Sequence, residues 1–461
     1  MSDYARLRAL AQTLNSALKT YEDELRAAGH PDLNIEALTP KPPDATTQMA
    51  QARWACLNAM DVLRTSLQSP AEAMYQTYSG AFETSALSIA VQNNLADAIF
   101  MGCKDSDDGV SVEQLAAKVG MDPAKLARVL RMLAVRHWLR ESKEGHFRLT
   151  RLGASLRQGQ SVHAWIAVQC PILFPSLTEL PTTLTDLVSK ATEDEHQTAF
   201  ARGPGCGQSM FEYLSSHPEA AEQFGLSMHA AGEIQLAASL REFPWHDRLA
   251  HKTLIDVGGG AGHFSVEFAK MDIPGLSIVV QDLPGTFEQA KRTFEKQAPE
   301  FVTSGRATFE ACDFFKPNAR SGENTCYLLR SILHDWGDDY CVQILKGLAH
   351  SMHPASSIFL HEILIQPCLP PSSEEPESDV QVKDHEVHLS PTSSQAAWPI
   401  PRNFGGNAAQ TYALDYLMLL EFNGRERTEA QFASLAEEAG LKLVNVSPLT
   451  SGRAIFEMRR A

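Results

Sequence analysis

One stretch constrains the fold more than any other: LIDVGGGAGHF, residues 254 to 264. A short apolar run that ends in glycines and then resumes as a helix pattern is a buried strand, a tight turn and a helix N-terminus. Backbone N–H groups in such a turn can approach a ligand closely, and the arrangement belongs to parallel α/β sheets. The chain around it agrees. After Phe243-Pro244-Trp245, β-rich runs alternate with helical ones, with strands expected at 253–257, 277–281, 308–311, 326–330, 357–365 and 442–446. Such alternation predicts βαβ units and a parallel sheet.

The ends of the first three strands carry polar groups in a telling order. Gly258, Gly260 and Gly262 follow a G-x-G-x-G spacing, but His263 stands where a dinucleotide fingerprint wants its last glycine, which favours a different nucleoside ligand over NAD. The second strand ends at Asp282, twenty residues after Gly262, where a carboxylate can accept both hydrogen bonds of a ribose diol. The third ends in Cys312-Asp313-Phe314, an acid beside an aromatic face, suited to the exocyclic amine and ring of adenine. Glycine turn, ribose acid and adenine acid at consecutive strand ends predict a nucleoside site in the crevice of an open α/β sheet.

The first half reads as helical. Leu7, Leu10, Leu14, Leu18, Tyr21 and Leu25 recur at spacings of three and four, predicting an amphipathic helix over 5–27 whose partner lies far along the chain or on another subunit. Residues 28–47 break the pattern as a linker. Residues 111–151 predict a helix-turn-helix followed by a short wing, with nine Lys/Arg against four Asp/Glu. Such a module binds DNA or serves dimerisation. The rest of the chain decides between them: 40 basic against 56 acidic residues leave a net charge of −16, which repels nucleic acid and anionic membrane overall. We therefore expect residues 1–245 to form a helical dimerisation domain, and 246–461 a ligand-binding α/β domain. A Pro/Ser/Glu-rich insertion at 366–407 is expected to be a flexible loop. The eight cysteines are scattered with no C-x-x-C pair, and no apolar run approaches a membrane span. The expectation is a reduced, cytoplasmic protein with no membrane partner.

The fourth strand end reads YLLRSILHDWGDD, with Arg330, His334, Asp335 and Trp336. Together with DVGGGAG, QDLP, CDFF, FEYLSSHP, HEILIQP and NGRERTE, it resembles the S-adenosylmethionine-dependent O-methyltransferases of the caffeic acid and isoflavone type, the class I, cation-independent group. The pattern looks most like fungal members that methylate phenolic hydroxyls of polyketide-derived metabolites. The resemblance spans nearly the whole chain. It implies a Rossmann-like catalytic domain behind a winged-helix dimerisation domain, a homodimer, and a small aromatic substrate. It also implies His334 as general base, with Glu362 and Glu426 positioning it and Asp335 beside it. Cofactor contacts are implied for Gly258, Gly260, Asp282, Asp313, Phe314 and Arg330, the last standing where plant members carry lysine. Phe211, Met228, Trp336, Leu419 and Asn423 fall where the family lines its acceptor pocket. The insertion is longer and NGRERTE shorter than in plant members, both next to the acceptor.

The chemistry is consistent with that resemblance. A sulfonium donor brings its own leaving group, so the protein need only align the acceptor and remove one proton. A phenol titrates near ~10 and imidazole near ~6.5, so His334 suffices if carboxylates stabilise its imidazolium. No carboxylate cluster for a metal is expected beyond the residues already assigned. Two other readings use the same sequence: a methyltransferase scaffold that steers dehydration or pericyclic ring closure, and a DNA-binding regulator acting through the winged helix.

Overall fold

In a computed structural model, residues 3–30, 33–39, 41, 43–103, 108–367 and 406–461 are described. The expected insertion at 366–407 lies outside them except at its ends. The strands are β1 (Val110–Ser111), β2 (Leu139–Lys143), β3 (His146–Leu149), β4 (Thr253–Val257), β5 (Ser277–Asp282), β6 (Ala307–Ala311), β7 (Thr325–Arg330), β8 (Ser357–Ile363), β9 (Leu441–Pro448) and β10 (Arg453–Arg460).

The large sheet has seven strands in the order β6-β5-β4-β7-β8-β10-β9. β4 through β8 are parallel, and β10 runs antiparallel between β8 and β9. The sheet is thus mixed, correcting the expectation of a parallel sheet at one edge. β10 was missed because its apolar residues sit among charges, although Ala454, Ile455, Phe456 and Met458 are fully buried.

The central strands are apolar on both faces because both are covered. Ile255, Val257, Tyr327 and Leu329 pack under the helices Asp338–Ser351 and Glu429–Glu438. Leu254, Cys326 and Leu328 face the opposite layer with Trp245, Phe264 and Phe268. This alternation turns Asp256, between Ile255 and Val257, inward beneath the glycine turn.

β1, β3 and β2 form a three-stranded antiparallel sheet around the expected wing. The second helix of the module, Pro123–Ala134, buries Leu126, Leu130 and Leu133. The N-terminal helix Asp3–Ala27 packs on Thr47–Leu67, immediately across the linker, with Tyr21 and Leu25 against Met49 and Ala52, and Leu10 against Ala59. A helical hairpin therefore covers much of the apolar stripe with the next helix rather than a distant segment, which corrects that expectation, and leaves Leu18 45% exposed.

The helix Ser161–Thr185, within the first half, contacts elements of both halves. It packs on Pro218–Glu242 and on Gly406–Phe422, so residues from the first half border the crevice above the sheet. Among the described residues no helix is long and apolar enough to cross a membrane, and their seven cysteines are free.

Candidate active site

The crevice begins at the turn after β4. Gly258 has φ +71°, and a Cβ there would lie 2.5 Å from the Ile332 Cδ1, so only glycine fits without displacing its neighbour. Asp282, at the end of β5, accepts the Gly260 N–H at 2.8 Å and the Leu283 N–H at 2.7 Å. Burial pushes its carboxyl above the usual range, while those bonds oppose the rise.

Asp256 was not foreseen. It is buried, accepts the Ser265 hydroxyl at 2.5 Å, and burial raises its pKa to about 6. An acid in an otherwise apolar strand was the available signal. Asp313 is more exposed. It is held below the usual carboxylate range, chiefly by its bond to Lys316 at 2.9 Å, and also accepts the Phe315 N–H at 3.0 Å. Phe314 packs beside Gly258 and meets Trp336 edge-on. The Arg330 guanidinium lies 5.0 Å from the centre of the Phe264 ring, and its buried Nε has no hydrogen-bond partner. Burial, with Arg453 nearby, lowers its pKa to about 10.

His334 lies on a short turn after β7. Its Nδ1 is 2.8 Å from Glu426 Oε1, and its Nε2 is 3.4 Å from Asp335 Oδ1. Burial alone would lower the imidazole pKa, but the charges of Glu426, Asp335 and Glu362 outweigh it and push the value up to about 9. Asp335 moves the other way from an ordinary acid: burial, with Glu362 and Glu426 adding repulsion, raises it to about 7 against the opposing pull of His334.

Glu362 is fully buried and does not bond the ring. Its Oε1 accepts the backbone N–H groups of Ile332 and Leu333, both at 2.9 Å, so it fixes the turn that carries His334. Arg427, fully buried, holds the same turn from the other side, donating to the carbonyls of Leu333 and Trp336 at 2.7 Å each and to Asp338. Nothing in NGRERTE distinguished this buried arginine from a solvated one. Gly424 is required by proximity, since a Cβ there would lie 2.0 Å from the His334 carbonyl oxygen. His334, Glu362 and Glu426 each offer a ligand atom within 4.8 Å of the others. That spacing could suit a metal, but Glu426 Oε1 already faces His334 and Glu362 Oε1 already accepts two N–H groups.

Beside this turn, Phe211 stacks on Trp336 at 5.6 Å and contacts Phe422 at 5.5 Å. Met228 is 38% exposed on the helix Pro218–Glu242. The other two expected pocket residues fall elsewhere. Leu419 packs with Leu180, Ala199 and Leu420, and the Asn423 side chain donates to the Asp194 carbonyl at 2.8 Å. Met418, one residue before Leu419 and hence about a hundred degrees around the helix, and Phe422, the last residue of the helix, join Met210 and Leu214 near the aromatic wall, while Asn423 lies just past the helix end.

A Rossmann-like sheet with a glycine turn, strand-end acids and a buried histidine–carboxylate cluster, behind a helical winged module, defines the class I methyltransferase architecture. The O-methyltransferase domain family matches residues 182–383, and the O-methyltransferase dimerisation domain family matches residues 57–159. Both matched families are domains of O-methyltransferases, which supports an S-adenosylmethionine-dependent methyltransferase. It is 28% identical over 458 residues to 3-O-methyltransferase 2 of Phanerochaete chrysosporium, covering 97% of each chain. Its fold is similar to that of a pericyclic reaction enzyme, with TM-score 0.68 and 18% identity over 98% of this chain and 100% of that one. It is also similar to LepI in complex with SAM, with TM-score 0.67 and 19% identity over 98% and 100% of the two chains.

Proposed function

We propose that this protein transfers a methyl group from S-adenosylmethionine to a phenolic or enolic hydroxyl of a small polyketide-like metabolite, with His334 as general base. The observation that carries the reading is the His334 ring between Glu426 and Asp335, next to a nucleoside cradle at the carboxyl ends of β4 to β7. The cradle fits the cofactor chemically. Asp282 suits a ribose diol, Asp313 and Phe314 suit adenine, the Gly258–Gly260 turn leaves room for close approach, and the unpartnered Arg330 Nε suits a carboxylate.

S-adenosylmethionine supplies the activated methyl group. The chain supplies the rest. Neutral His334 would direct its Nδ1–H to Glu426 and offer Nε2 to the acceptor hydroxyl, taking its proton. Glu426 and Glu362 then stabilise the imidazolium. Glu362 and Arg427 keep the turn in place, and the stacked Phe211 and Trp336 rings form an apolar wall beside it. Incubation with methyl-labelled cofactor and phenolic polyketides should yield labelled methyl ethers, and the rate should survive EDTA, because the base and its carboxylates need no divalent ion. Loss of transfer on chelation, restored by Mg²⁺, would refute that mechanism. Cofactor binding without transfer to any acceptor would favour the ring-closure reading, for which the pericyclic enzyme's similar fold is the supporting observation.

The homodimer belongs to the same proposal, with residues 1–245 as its dimerisation half and 246–461 as the catalytic half. The helix Pro70–Gln92 lies in the region matched by the dimerisation family and exposes Met74, Tyr78 and Phe82 at intervals of four. Light scattering at micromolar concentration should give twice the chain mass, and combined Tyr78→Glu and Phe82→Glu substitutions should reduce it to a single chain. A monomeric wild type would overturn the assembly.

A further inference from the structure

The contact between the helices Ser161–Thr185 and Gly406–Phe422 is apolar around one buried polar spot. Val168 and Ile172 from the first helix cluster with Met418 and Phe422 from the second. In the same turns sit Gln169 and Glu421, only 4% and 1% exposed. Gln169 is the hydrogen-bonding neighbour that favours the ionised form of Glu421, yet the Oε1 atom of each residue is buried without a hydrogen-bond partner. Buried oxygens left unpaired are destabilising, and two at one place beside a ligand crevice point to a group that completes them.

Their position supplies the ligand. The helix Gly406–Phe422 that carries Glu421 packs on the His334 turn, and the Asp335 charge acts on Glu421 from that turn. We infer that Gln169 and Glu421 form the polar end of the acceptor site and select acceptors bearing a second hydroxyl, apart from the one that is methylated. The chemistry is specific because an amide oxygen only accepts, so its partner must bring a proton, as a hydroxyl does and a methyl ether does not. Burial holds the Glu421 carboxyl up at about 8, leaving it protonated at neutral pH and able to donate to the oxygen of the same hydroxyl. Gln169 and Glu421 are positioned to determine specificity and do not touch the transferred proton.

The inference rests on the methyltransferase reading, so its test includes binding as well as turnover. Acceptor dissociation constants for 2,7-dihydroxynaphthalene and 2-naphthol would be measured by titration with S-adenosylhomocysteine present, and kcat/KM with S-adenosylmethionine. Wild type should prefer the dihydroxy compound in both. Glu421→Leu and Gln169→Leu should each shrink that preference by on the order of 10–100-fold, mainly through KM, with cofactor affinity kept, and Glu421→Gln should retain part of it. If Glu421→Leu fails to fold, Glu421→Gln and Gln169→Leu decide the matter by the same ratio. Equal binding of the two compounds by wild type, or a preference untouched by the substitutions, overturns the inference. A preference in binding that the leucine variants lose, with no methyl transfer by wild type, supports the polar site and removes the methyl-transfer reading instead.

Discussion

Replacing His334 with alanine is expected to slow methyl transfer by roughly 10²–10⁴-fold, with cofactor affinity nearly unchanged, because the imidazole acts on the acceptor proton and not on the nucleoside. The geometry sets the direction of the companion effects. With its pKa pushed up to about 9 by Glu426, Asp335 and Glu362, His334 is mostly imidazolium at neutral pH in the free protein, and only the neutral ring can take a proton. For an acceptor titrating near ~10, log kcat/KM should therefore rise with pH through the neutral range and level off near the imidazole value. The raised value also brings the base closer to its phenol, so the proton transfer itself is less uphill than for an unperturbed imidazole.

Glu426→Gln removes the charge that faces Nδ1 at 2.8 Å. The pKa should fall and the rise in rate move to lower pH, while maximal turnover drops less than in the alanine variant because the base remains. Acceptors whose hydroxyl is already ionised should be least affected by His334→Ala. A histidine-free variant with full activity on a weakly acidic phenol, or a wild-type profile that Glu426→Gln leaves in place, would remove His334 as the base.

The legible part of this site was the part built from short-range pattern. A strand, its terminal acid and the following helix are local, so Gly258, Asp282, Asp313 and His334 could be set at successive strand ends from spacing alone. Their shared crevice then follows from the parallel order β6-β5-β4-β7. What brings Glu426 to His334 is not local. It depends on Gly424 admitting the His334 backbone and on Arg427 bonding the same turn, and neither leaves a mark distinguishable from a solvated charged loop. Only the family resemblance joined those segments. It carried the function of Glu362 less completely, since that carboxylate holds backbone N–H groups and reaches the ring only through its charge.

The acceptor wall illustrates a second limit. On a helix a shift of one residue rotates the chosen face by about a hundred degrees, so Leu419 leads away from the wall that Met418 approaches, while Asn423 falls just past the end of the helix, where φ +54° turns it to the Asp194 carbonyl. The N-terminal stripe was read correctly as a face needing cover, but a periodicity does not name its partner, which proved to be the next helix.

Asp282→Ala should be the most damaging change to cofactor binding. The carboxylate has two tasks. It holds the glycine turn through the Gly260 N–H at 2.8 Å, and in the proposed cofactor site it would also accept the hydroxyls of the ribose diol. Each hydrogen bond to a charged group contributes about 1.5–3 kcal/mol, so loss of a single bond should weaken binding by roughly 10–100-fold, and loss of both ribose bonds by more. Asp282→Asn separates the tasks, since an amide oxygen can still accept the Gly260 N–H but cannot accept from both hydroxyls. Isothermal titration with S-adenosylmethionine and S-adenosylhomocysteine should show similar losses for both ligands, because the contact is to the ribose and not to the methyl group. Wild type should give no heat with NAD, whose fingerprint wants a glycine at His263. NAD binding without a response to S-adenosylmethionine would sink the cofactor assignment, and an Asp282→Ala variant of unchanged affinity would move the ribose contact to another residue.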